Sequence, residues 1–102
     1  FSEIILINCS SLQEPKARLF AGKVKAALAE SLSIFGEKET ELLGPSPAPL
    51  FKIKDRFRYQ LIFKGTGLQH YAGIIRDVVW RFSQETGEEI RVTVDFNPVM
   101  ML

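Results

Sequence analysis

Arg56, Arg58 and Lys64 fall at even positions of one stretch, Arg56-Phe57-Arg58-Tyr59-Gln60-Leu61-Ile62-Phe63-Lys64, and Lys52 and Lys54 carry the basic series upstream. Guanidinium and ammonium groups at every second residue can follow a row of phosphates, because alternate side chains of a strand leave the same face. Gln60 adds an amide to that face, and Asp55 is the one acid among these residues. Phe57, Tyr59, Leu61 and Phe63 fall on the opposite side and suit a core, with Ile62 the exception on the polar side. Tyr59, or the proline-rich loop before the strand, would shape one edge of a phosphate-binding surface. The same alternation also fits a plain half-buried strand whose Lys and Arg are only solvated.

Other reactive residue types are too few or too scattered for catalysis. Cys9 is the only cysteine, so there is no internal disulfide and no cysteine pair for zinc, which suits a reducing compartment. His70 is the only histidine and reads as a solvated helix residue, since no partner stands at ligand or triad spacing. Ser10-Ser11 has no histidine nearby, and Gly65-Thr66-Gly67 is too short for a phosphate-cradling or dinucleotide loop. Glu37, Glu39, Glu41, Glu88 and Glu89 read as solvated turns and edges, and Asp95 with Asn97 offers too few ligands for a cation. The chain therefore reads as a binding module with no catalytic site, metal or cofactor of its own.

A chain of 102 residues suits one domain spanning positions 1–102. A net charge of +1 requires any nucleic-acid affinity to come from a local patch. No apolar run approaches the length of a membrane span, and there is no signal peptide or internal repeat, so no membrane partner and a cytoplasmic setting are expected. The chain has no initiating methionine and enters a strand pattern almost at once, which suggests a piece excised from a larger protein ahead of a chain that has lost a leader.

Ile4 to Ile7 is a continuous apolar run, read as a strand buried on both faces and ended by Asn8-Cys9-Ser10-Ser11. Pro15 suits the first turn of a helix whose core stripe is Ala17, Phe20, Val24, Ala27, Leu28, Ser31 and Phe35, with Gly36 as its stop. Glu39 to Leu43 reads as a short strand running into Gly44-Pro45-Ser46-Pro47-Ala48-Pro49, a turn that is neither helix nor inner strand. After the strand Arg56 to Lys64, a second helix starts near Leu68, faces the core with Leu68, Tyr71, Ala72, Ile75, Val78, Val79 and Phe82, and ends at Gly87. Ile90, Val92, Val94 and Phe96 alternate with polar residues as a last strand, closed by Asn97-Pro98 before the apolar tail Val99-Met100-Met101-Leu102. The order β-α-β-β-α-β predicts an α+β two-layer sandwich of the ferredoxin-like class. Both helices pack on one face of the sheet, the first and third strands are central, and the other face is left for a partner. An acylphosphatase-like enzyme shares that order, but the glycine-rich phosphate loop it needs near the first strand is missing. Trp80 breaks the second helix's pattern by lying opposite the core stripe beside Arg76, as a protein-interface anchor would. Alternatively the tail Val99 to Leu102, or a stack with Arg76, covers it.

Gly44-Pro45-Ser46-Pro47-Ala48-Pro49 followed by Arg56-Phe57-Arg58-Tyr59-Gln60-Leu61 resembles the C-terminal domain of primosomal protein N′, the PriA replication-restart DNA helicase family. Val92-Thr93-Val94-Asp95-Phe96-Asn97-Pro98 with its Met-Leu tail, and Phe1-Ser2 at the start, are similar to the close and opening of that domain. The resemblance implies a fold like a small-subunit ribosomal protein and a role in holding branched or forked DNA. It implies a parent that is an ATP-dependent helicase with zinc-binding cysteines elsewhere, so that this chain alone hydrolyses nothing. It carries DNA contact onto Arg56, Arg58, Gln60 and Lys64, and implies contacts to the other parent domains and to the acidic tail of single-stranded DNA-binding protein. Two departures matter: Asn97 stands where the family often has an acid, and Leu68 and Ala72 stand where it offers polar residues to that tail. The alternative function is protein docking through Trp80 and the apolar tail, to parent domains or to single-stranded DNA-binding protein.

Overall fold

Ile5, Ile7 and Cys9 lie opposite Phe63, Leu61 and Tyr59 on a neighbouring antiparallel strand, so the odd residues of two strands make one apolar surface. The computed structural model describes residues 3–33, 41–65, 67–86 and 90–96. Strands β1 (Glu3–Ser11), β2 (Glu41–Ile53), β3 (Arg56–Gly65) and β4 (Ile90–Phe96) form one antiparallel sheet in the order β2-β3-β1-β4. Helix α1 (Glu14–Ser33) joins β1 to β2, and α2 (Ala72–Thr86), preceded by a 3-10 turn (Leu68–Tyr71), joins β3 to β4. This is the two-layer β-α-β-β-α-β architecture, with β1 and β3 central as the right-handed crossovers require.

The helices meet the sheet through the stripes their spacing predicts. Ala17, Phe20, Ala21, Val24 and Leu28 of α1, with Ile75 and Val78 of α2, are buried against Ile5, Ile7, Leu61 and Phe63. The rings of Phe20 and Phe82 meet edge to face at 6.2 Å, tying the helices together. Ser11 Oγ accepts a bond from the Gln13 amide at 3.1 Å, and the Gln13 carbonyl accepts from Ala17 at 3.2 Å, which sets the first turn around Pro15. The Glu3 carboxylate accepts from the Leu68 amide at 2.8 Å, capping the turn before α2 with a residue from the far end of the chain. Among the described residues no helix is long and apolar enough to cross a membrane.

The structure departs from the sequence pattern in three places. First, β1 is central but not buried on both faces: Ile4 and Leu6 are only half-buried, because both helices cover the other side. Second, Asn8 to Ser11 do not end the strand; pairing with β3 on one side and β4 on the other carries it to Ser11. Third, the proline-rich segment is part of β2. It forms the outer edge, where a missing amide costs no ladder bond, and its register shifts between Leu43 and Ser46 and again between Pro47 and Lys52. Gly44 starts this irregular stretch at φ +104°, ahead of a cis bond to Pro45, and its carbonyl accepts a bond from Lys25 Nζ of α1. The expectations placed on Phe1-Ser2, Phe35, Gly36, Glu37, Glu39, Thr66, Gly87, Glu88, Glu89, Asn97-Pro98 and the tail lie outside the described residues, as does the side chain of His70.

Cys9 lies in the middle of this core with no exposed surface, and burial pushes its thiol up from 9.0 to about 12. Because the folded value is the higher one, the thiol's contribution to stability is complete below pH 9.0 and is lost as the pH rises from there toward about 12. A thiol-specific reagent at neutral pH is expected to leave Cys9 unlabelled in the folded chain and to react with one thiol per chain in urea. Stoichiometric labelling without denaturant would contradict this packing.

Candidate nucleic-acid interface

The even-numbered residues of β1 and β3 leave the sheet on the side without helices. At one end of this open face, Arg56 donates from Nε to Ser10 Oγ at 3.1 Å and from Nη2 to the Ser10 carbonyl at 2.9 Å. Arg58 donates from Nη1 to the Leu50 carbonyl of the edge strand at 3.0 Å. Ser10 lies opposite Arg58 on one side and Arg91 on the other, so Arg58, Ser10 and Arg91 form one row across three strands. Arg58 and Arg56 are half-buried and Arg91 is exposed. A guanidinium carries five donors in a planar fork; for Arg58 the bond to Leu50 uses one of them, fixing the group while leaving donors for a phosphate.

The face changes character along the strands. Beside the arginine row lies a polar row of Ser46, Gln60, Asn8 and Thr93, then an apolar row of Leu43, Ile62 and Leu6 ending at Asp95. Lys64 follows, paired across to Glu41 and Ile4. Lys64 lies six positions beyond Arg58, roughly 20 Å along a strand, so Lys64 does not join the arginine cluster. Gln60 is on the open face but only 8% exposed, packed between the neighbouring strands. Asn8 Oδ1 in the same row is buried without a hydrogen-bond partner among the described residues.

The structure places the remaining predicted contacts elsewhere. Lys54 is not on a strand face: with Asp55 it forms the two-residue turn between β2 and β3, at φ 49° and 64°. That turn sets Lys52 opposite Phe57, on the helix side of the sheet, with its ammonium 5.0 Å from the Phe57 ring centroid and 3.9 Å from Asp55 Oδ1. Tyr59 also belongs to the helix side. It is buried, and its hydroxyl donates to the Glu14 carboxylate of α1, which Arg18 also meets at 3.4 Å. The bond to Glu14, with burial second, holds the phenol above its usual range. Tyr59 ties sheet to helix and lines no part of the open face.

The family model for the primosomal protein N C-terminal domain matches residues 1–99. The chain belongs to this family. It is also 27% identical over 100 residues to the replication restart protein PriA of Bacillus subtilis, covering 97% of this chain and 12% of that relative. The chain thus spans about an eighth of the length of the curated relative it matches. In fold it is similar to a de novo designed ferredoxin-fold protein, with TM-score 0.63 and 10% identity over 96% of this chain and 86% of the design. It is likewise similar to part of an amidohydrolase/peptidase-like protein from Burkholderia cenocepacia, with TM-score 0.56 and 11% identity over 93% of this chain and 27% of that one. At such identities the likenesses speak to fold alone.

In this primosomal C-terminal domain the two stretches that carried the resemblance are neighbours: the proline run is edge strand β2, and Arg56 to Leu61 is the central strand beside it. Arg91 is the residue that sequence reasoning missed. It sits far from Arg56 and Arg58 in the chain, and only the shared partner Ser10 brings it to them. Trp80 is 63% exposed, as its place on the helical wheel predicts. Arg76 does not stack on it; the guanidinium lies 4.9 Å from the Phe96 ring centroid. Trp80, Arg76 and Asp77 of α2 and Val92 and Val94 of β4 line an open groove of about 460 Å³.

Proposed function

We propose that this chain is the DNA-binding C-terminal domain of a replication-restart helicase, holding branched or forked DNA while motor domains in the longer protein unwind it. The observation that carries the reading is the arginine cluster on the open face of a primosomal C-terminal domain, with Arg56, Arg58 and Arg91 gathered around Ser10. Its mechanism is positional. The guanidinium forks neutralise phosphates and set the orientation of the duplex, and recognition follows DNA shape more than sequence. The open-face residues of β1, β3 and β4 include no aromatic ring on which unpaired bases could stack, which favours fork and duplex over single strands. ATP hydrolysis and zinc binding are assigned to other parts of the longer protein, together with a cytoplasmic setting. Its partners are the other domains of the helicase and single-stranded DNA-binding protein. Lys64 and Gln60 serve as outlying contacts in this reading, while Lys52, Lys54 and Tyr59 are left out of it.

A second reading is protein docking through Trp80 and Arg76, supported by the exposed indole over an open groove. The deciding experiment titrates the chain with forked, duplex and single-stranded DNA across a salt series. Three phosphate contacts give a log–log slope of about −3, a loss of roughly fortyfold from about 50 to 200 mM salt. A steep slope with preference for the fork supports DNA holding. A flat response, or no binding, transfers the function to the Trp80 groove.

A further inference from the structure

Both faces of the β2–β3 hairpin carry cations, but only one carries aromatic rings. Arg56 and Arg58 stand on the open face. On the helix side Phe51 meets Phe57 and Tyr59, each with ring centroids 5.5 Å apart. Lys52 holds its ammonium 5.0 Å from the Phe57 centroid on that same side, and the register shift between Pro47 and Lys52 is where Phe51 and Lys52 come to share it. Tyr59 is closed over by Glu14, the first residue of α1. Phe57 lies two residues nearer the turn, level with Ser11 where β1 ends. The rings of Phe57 and Phe51 accordingly stay half-buried while Tyr59 does not.

The charge around these rings has one sign. From Leu50 to Arg58 four cations, Lys52, Lys54, Arg56 and Arg58, stand against one acid, Asp55. Lys52 and Asp55 are 3.9 Å apart with side chains 51% and 89% exposed, a weak ion pair that a phosphate can replace. Accessible aromatic rings bordered by ammonium groups suit an unpaired nucleotide strand, whose bases stack on the rings while its phosphates meet the cations. An apolar protein surface would have to desolvate those lysines, whereas a nucleic-acid strand uses them.

We propose that Phe51, Phe57 and Lys52 form a stacking site for an unpaired strand of DNA, set back to back with the arginine cluster across the thickness of one hairpin. This rests on the reading that Arg56 and Arg58 hold a paired arm. With that arm on the open face, the unpaired arm crosses the Lys54-Asp55 turn to the helix side. There one or two bases stack on the rings, and Lys52 leaves Asp55 for a phosphate. The hairpin stands in the angle of the fork, and a junction is recognised by binding both of its arms, without base-specific contacts.

Anisotropy titrations of the chain with three probes test this: a fork with one oligothymidine arm, a blunt duplex of the same paired length, and oligothymidine alone. The fork is expected to bind about tenfold tighter than the duplex. Phe51→Leu with Phe57→Leu keeps most of the apolar bulk and removes the rings. It should bring fork affinity down to that of the duplex, leave duplex binding unchanged and abolish the weaker binding of oligothymidine. Lys52→Gln, at an exposed side chain, decides the matter should the double variant fold poorly: it should weaken oligothymidine binding and flatten its salt slope by about 0.7. Equal affinity of the unaltered chain for fork and duplex overturns the proposal. So does fork binding indifferent to these changes, or a folded double variant that loses duplex and fork affinity alike. A chain that binds oligothymidine through these residues but no duplex would keep the stacking site and refute the arginine reading instead. Independently, 5-iododeoxyuridine at the first unpaired position of the arm should crosslink to Phe51 or Phe57 under near-ultraviolet light. A crosslink confined to open-face residues would rule the site out.

Discussion

Reversing two charges, Arg56→Glu with Arg58→Glu, is expected to lower affinity for forked DNA about a hundredfold near 100 mM salt and to flatten the salt slope by about 2. The change removes two phosphate-neutralising groups and puts two carboxylates in their place. The fold should survive it. Arg56 is held by Ser10 and Arg58 by the Leu50 carbonyl, and losing such bonds at a half-buried surface costs about 1–2 kcal/mol in total. Fluorescence anisotropy with labelled forks measures the first quantity and urea unfolding the second. A variant that still binds as tightly would remove the arginine cluster from the site. A variant that no longer folds would make the two arginines chiefly structural pins for Ser10 and the edge strand. Arg91→Glu separates these cases, because Arg91 is exposed and belongs to the same row.

Gly44→Ala should be among the most damaging single changes to stability. Gly44 sits at φ +104°, where L side chains are strained, and an added Cβ would lie 2.6 Å from the Gln60 carbonyl oxygen. It would also lie 3.3 Å from the Ser46 amide nitrogen and 3.4 Å from the Leu61 Cα. All three obstacles are backbone, and Gln60 and Leu61 belong to a strand already paired with β1, so none can yield without disturbing the ladder. The expected loss is about 3 kcal/mol, or a fall of roughly 15 °C in Tm for a domain of this size. Gly22→Ala is the control: nothing lies within 4 Å of its Cβ, and in the middle of α1 an alanine should leave stability unchanged or raise it by up to about 1 kcal/mol. Similar melting curves for the two variants would show that β2 does not need the Gly44 conformation.

The fold was legible where apolar spacing alone decides placement. Leu68, Tyr71, Ile75, Val78 and Val79 recur as a helix stripe must, and all are buried. The open face was harder to read, because parity along one strand says nothing about which residues of other strands stand beside it. Arg58 and Arg91 become neighbours only through Ser10, a relation set by ladder register. Lys52 was misplaced for the same reason: the two-residue turn at Lys54-Asp55 pairs an even residue with an odd one, carrying Lys52 to the Phe57 side. Tyr59 already fell on the apolar side of the alternation. Its hydroxyl has a use there because Glu14, distant in sequence, opens the helix that packs over it. The proline run was read as a turn because proline disfavours inner strands, and an edge strand needs only one row of donors.

Both ladder partners of the first strand lie downstream of it, β3 starting at Arg56 and β4 at Ile90. In chain order Ile4 to Ile7 therefore precede both of their ladder partners, and α1 is the first element after them that covers their odd side. The β2–β3 hairpin can close locally, but the sheet is not complete until the last strand has emerged. Until then the apolar odd side of the central strand has only α1 to cover it, so the long-range β1–β4 pairing is the last part of the sheet to form.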